Sequence, residues 1–211
     1  MMKTKCSLLV LILFFSYRSM SADSPLTSTS FSEAYKNEKI VILAMGTNGI
    51  LTNELMDYLI TADNPVSIKM AVINRLGWEG DKRQNSLMLL NYLRKKKGYK
   101  DKSDFEKSGA DFELLSMAYL RAMENYFEVD DAIVLAEKAL LKNKTSSYTF
   151  RIITAMIKAQ KQVGALNGWC EVYYLTNRVR EDKTANIDLN EEAISIIFEY
   201  MDGYKEFCGK K

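Results

Sequence analysis

Asp63-Asn64-Pro65-Val66-Ser67-Ile68-Lys69-Met70-Ala71-Val72-Ile73-Asn74-Arg75-Leu76-Gly77 sets the architecture of this chain. An asparagine cap and a first-turn proline precede Ile68, Ala71, Val72 and Leu76, which recur at three- and four-residue spacing before a glycine stops the pattern. That spacing predicts an amphipathic helix with one buried stripe. The pattern returns outward along the chain. A second helix is expected over 82–97 with Leu87, Leu90 and Leu93, after a turn at Trp78 to Asp81. Beyond a polar stretch from Gly98 to Ala110, Phe112, Leu115, Tyr119, Ala122, Met123 and Tyr126 mark a long helix, and its partner starts near Asp130 with Ile133, Ala136 and Leu140. Thr145 to Ser147 suit the cap of a helix carrying Ile152, Ile153, Met156 and Ile157. Leu166, Trp169, Cys170 and Tyr173 line the next, with Trp169 expected to fill a gap between repeats. Asp188-Leu189-Asn190-Glu191 reads as a capping box opening a last helix. Ala193, Ile197, Tyr200, Met201, Tyr204 and Cys208 follow on one stripe, which Asp202-Gly203 can interrupt.

Lys39 to Met45 is a β-like apolar run leading into Gly46-Thr47-Asn48-Gly49, the way a dinucleotide-binding fold begins. Only two of that motif's three glycines are present, and no later parallel strand or acid follows. Residues 35–46 are therefore expected as a buried helix ending at a glycine.

Helix pairs start near 65, 111 and 147, within the spread of two-helix repeats whose units stack to bury a shared face. From Pro65 through Ile68-Lys69 and Ala71-Val72 to Leu76-Gly77 the spacing resembles a HEAT-type repeat over 63–97. Ala132, Ala136 and Ala139 are similar, less fully, to the small residues of a tetratricopeptide second helix. Both resemblances imply an all-α fold: an α-solenoid of about four antiparallel helix pairs with a C-terminal closing helix, acting as a protein-binding or scaffolding module. They also imply a concave face lined by second helices, which makes Lys82, Arg83, Asn91, Glu137 and Lys138 contact candidates. An irregular bundle with chance spacing is the competing architecture.

The chain has 211 residues with 47% hydrophobic and 27% charged side chains, which excludes a disordered or multi-span membrane protein. It has no histidine, so Ser-His and Cys-His nucleophiles and the HExxH zinc signature are excluded. Lys3 and Lys5, the apolar run Leu8 to Phe15, and small residues at Ser19, Ser21 and Ala22 form a secretory leader over 1–22, too short to persist as a membrane span. Residues 23–33 are expected as a flexible spacer and 34–211 as one helical domain, secreted or periplasmic, with no stable membrane insertion after cleavage. Without the leader, 26 basic face 27 acidic residues, so no broad field attracts nucleic acid.

Cys170 and Cys208 remain, either as a disulfide stabilising by about 4 kcal/mol or as two buried thiols. Asn143-Lys144-Thr145 is a glycosylation sequon. Arg94 and Lys95 begin the only dense basic cluster, continued by Lys96, Lys97, Lys100 and Lys102; it suits a phosphate, a sulfated sugar or an acidic partner surface, or simply a solvated helix end. Glu79, Asp81, Asp130 and Asp131 are the acids a carboxylate-dependent hydrolase or lyase would use, though turns and caps select the same residues. No cofactor and no metal site is expected. An exported inhibitor blocking one enzyme is the alternative within binding proteins.

Overall fold

The computed structural model describes residues 24–77, 84–163, 165 and 168–209. Among them the chain is all-helical, with one isolated bridge between Ser147 and Asn186. A 3-10 turn at Phe31–Tyr35 leads to α1 (Lys39–Met45), α2 (Asn53–Ile60), α3 (Val66–Leu76), α4 (Asn85–Lys97) and α5 (Lys102–Ser108). Then come α6 (Asp111–Glu124), α7 (Asp130–Lys142), α8 (Tyr148–Gln162), α9 (Gly168–Glu181) and α10 (Glu191–Met201), which tightens into a 3-10 segment at Asp202–Phe207. The expected leader over 1–22 and the turn Trp78 to Asp81 lie outside the described residues.

Local chemistry sets the boundaries. Thr52, Asp101, Ser147 and Asn190 each accept a backbone N–H of the first turn they precede. Gly98 ends α4 with φ +81°, a left-handed conformation that costs glycine little, and returns its N–H to the Arg94 carbonyl. Two caps differ from expectation. Asn64 donates to the Tyr58 carbonyl of the preceding helix, so Pro65 itself stands at the N-cap of α3. Asp188 accepts from the Ser147 hydroxyl and from the N–H and hydroxyl of Thr149, capping α8 across space while Asn190 caps α10.

α6 is the central strut, with every side chain from Glu113 to Leu120 buried, and α2, α3, α4, α7 and α8 pack on it. From α6 to α9 each helix packs on the next in sequence. The polar stretch Gly98 to Ala110 holds a helix the periodicity missed, because α5 buries one apolar residue, Phe105, edge-on to Tyr99 at 5.4 Å.

The expected spacer over 23–33 is corrected from Ser24 onward. Leu26 and Phe31 are in the core, the Ser24 hydroxyl is bonded to Gln160, and Ser32 N–H donates to Asn74. Those two apolar side chains outweigh the Ser/Thr-rich composition around them. The 3-10 turn then packs on α3 and α10, and Tyr35 accepts the Asn190 N–H, so the described N-terminal end closes onto the C-terminal helix. The expected buried helix over 35–46 is likewise split: α1 buries Val41 and Ala44 and exposes Ile42 and Met45. Cys170 and Cys208 form a disulfide that ties the last 3-10 segment to α9. Trp169, half-buried against the core, stacks on Tyr204 of that segment at 5.3 Å.

Candidate functional site

α6 ends at Glu124 and α7 starts at Asp130, so Tyr126 and Phe127 share a tight reversal in which neighbouring side chains cannot both reach the core. Tyr126 is buried; Phe127 is 78% exposed, with the two ring centroids 4.2 Å apart. Asn125 Oδ1 accepts the Phe127 N–H at 3.3 Å, a local turn that holds the ring outward. Phe127 stands over a cleft of about 990 Å³, lined by Arg121 and Glu124 from α6, Asp130 and Asp131 from α7, and Gln160 and Lys161 from α8.

The cleft lining carries more acid than base. The C-terminal turns of α6 and α8 meet only one N-terminal turn, that of α7, whose partial positive charge Asp130 and Asp131 already face. Four carboxylates (Glu124, Glu128, Asp130 and Asp131) line it against two cations. Both cations are engaged, Arg121 with Glu106 at 3.4 Å and Lys161 with Asp130 at 2.5 Å. The Asp131 side chain is 80% exposed and lies 3.7 Å from Lys102. Burial pushes the Glu124 carboxyl above its ordinary pKa, opposed by bonds from the Ser86 hydroxyl and N–H. Glu124 thereby caps the first turn of α4 and locks it to α6.

α7 adds an outer face. Val134 and Leu141 are 50% and 80% exposed, and their seven-residue spacing sets them on one side of the helix. This surface and Phe127 went unread in the sequence. The signal was the Tyr126-Phe127 pair, since a stripe that claims the first ring must turn the second away.

The candidate contacts divide between two helices that both pack on α6. Asn91, Arg94 and Lys95 are exposed on α4; Glu137 is exposed on α7 and paired with Lys158 at 2.6 Å, and Lys138 is half-buried beside it. Lys82, Arg83, Glu79 and Asp81 lie outside the described residues. The basic cluster is largely engaged at home. Arg94 donates to the Lys100 carbonyl, Lys96 lies 3.7 Å from Asp57, Lys97 lies 3.7 Å from the buried Glu113, and Lys102 reaches Glu106 and Asp131. The sequon asparagine is engaged as well. Asn143 Nδ2 donates to Asp111 at 3.0 Å while its Oδ1 accepts the Ser147 N–H at 3.1 Å.

Among the described residues no helix is long and apolar enough to cross a membrane, and no three acidic or cysteine side chains are placed to hold a metal. Comparison with known proteins gave no match to the chain, whether to a family model, a curated protein or a solved structure.

Proposed function

We propose that this chain is an exported, non-catalytic helical-repeat protein that binds a protein partner. In this reading the consecutive helices α6 to α9 are the repeat-like part, stacked as in an α-solenoid, and α10 with the N-terminal segment is the closing cap. Export is supported by the leader-like first 22 residues and by the Cys170–Cys208 disulfide, which persists in oxidising compartments. The observation that carries the binding role is Phe127, an aromatic ring held 78% exposed at the mouth of an open cleft. Such a ring is how an interface anchor presents before its partner arrives.

Affinity capture from an exported-protein extract, with the native chain beside Phe127→Ala and Leu141→Ser, tests the reading. One or more stoichiometric partners lost in either variant supports it, and partners retained by both variants contradict it. A single captured enzyme whose activity falls on binding would select the inhibitor form. Turnover of an envelope polysaccharide that disappears in Asp131→Asn or Glu79→Gln would replace binding with hydrolysis.

A further inference from the structure

We infer that the cleft at the α6–α7 turn receives a cationic side chain, an arginine or lysine presented by a basic segment of the protein partner. This rests on the binding reading above and names the chemistry of its partner. Acids at the start of α7 would by themselves be ordinary helix-terminal residues. Three further observations give the place a ligand. The ring of Phe127, packed against Tyr126 at 4.2 Å yet 78% exposed, lines with those acids a cleft of about 990 Å³, room for a long side chain. The carbonyl ends of α6 and α8 border the same space, and carbonyl ends attract positive charge. Asp130 is held by Lys161 and Asp131 lies 3.7 Å from Lys102, while the exposed Glu128 on the same rim has no ion pair among the described residues.

An aromatic face flanked by carboxylates and carbonyls recognises a guanidinium or ammonium: the ring attracts the cation, and the oxygens accept its N–H groups. A planar guanidinium fits better, because it stacks on the exposed side of the ring while its edge stays free to bond Glu128. An anionic or purely apolar partner would leave those carboxylates facing like charge or buried without a donor. The partner segment is therefore basic, and its association weakens with salt, because the rim is solvent-exposed.

The test uses the intact chain labelled with ¹⁵N and the probe N-acetyl-arginine amide, with N-acetyl-citrulline amide as the uncharged control. The expected result is amide shifts confined to 121–132 and 160–163 with arginine and none with citrulline. Those shifts need about two- to fivefold more probe in Phe127→Ala and again in Glu128→Gln, both exposed positions at which unchanged unfolding midpoints verify the fold. Shifts spread over the whole surface, equal responses to arginine and citrulline, or an unchanged Phe127→Ala titration would overturn the inference. Failure here, with capture still lost in Phe127→Ala, would leave a binding protein whose partner is not basic. Failure of both experiments, with no probe shifts and no partner that depends on Phe127 or Leu141, would remove the binding role as well.

Discussion

Lys69 has no solvent exposure, donates to the Thr61 carbonyl at 2.6 Å and stands 3.7 Å over the Phe112 ring, so a charge is buried at the C-terminal end of α2. Burial lowers its pKa from 10.5 to about 8, only partly offset by Glu113, Asp111 and Asp63 and reinforced by Lys97. Between those values the unfolded chain holds the proton that the folded chain has released, so stability rises as pH increases from about 8. Above pH 10 the sign reverses. Burial holds Tyr148 up to about 12 and Tyr99 and Tyr119 higher still, so the unfolded phenols ionise first. Urea midpoints should therefore climb from pH 8 to 9.5 and then fall, and Lys69→Met should lose the climb while keeping the fall. At Gly168, the first residue of α9, a Cβ would overlap the Gln162 carbonyl oxygen and lie 3.1 Å from the Ala165 Cβ. Gly168→Ala should cost about 1–3 kcal/mol in equilibrium unfolding, where an unconstrained helix start would gain from alanine. The HEAT-like spacing named Lys69 only as a basic residue after an aliphatic one. Its burial depends on Phe112 and Thr61, which lie far from it in sequence or on another turn, and periodicity carries no such information.

At the scale of elements, stripes with repeated apolar positions were legible and isolated anchors were not. The helices around Ala71-Val72, Leu115-Tyr119 and Ile152-Ile153 appear where three- and four-residue spacing places them, because many buried side chains agree on one face. α5 was missed because Phe105 alone gives no period. Asp188 was misassigned because a cap acting across space is silent in sequence. The last 3-10 segment depends on packing by Trp169 and Tyr204 and on the bond between Cys170 and Cys208. That bond closes a 38-residue separation, and Cys208→Ser should lower unfolding stability by about 2–4 kcal/mol. The cleft is unaffected in this account, since none of its lining residues belongs to α9 or the final segment, so arginine-probe shifts should persist in Cys208→Ser.

Across the whole molecule, closure of the described N-terminal end onto α10 departs from what a linear array of repeats would do, since such arrays touch only their neighbours. Asn74 is the junction: its side chain accepts from Ser32 and donates to the Thr29 carbonyl and the Tyr119 hydroxyl, joining the N-terminal segment to α3 and α6. Composition alone read 23–33 as a tether, because Ser and Thr outnumber the two apolar residues that decide its place. Phe31→Ala should cost about 3–5 kcal/mol in urea unfolding, whereas a side chain in a loose spacer would cost under about 0.5 kcal/mol. The candidate site was half legible: its acids, Asp130 and Asp131, were visible as turn residues, while its anchor and its third wall, α8, required the fold. Site-specific crosslinking from position 127, with p-benzoylphenylalanine replacing Phe127 in the full chain, reads out what the exposed ring touches. The expected result is one discrete adduct, mapping to a basic segment of a protein partner and suppressed by excess N-acetyl-arginine amide. Absence of any adduct, with the variant folded as the native chain is, would contradict a basic partner at this ring.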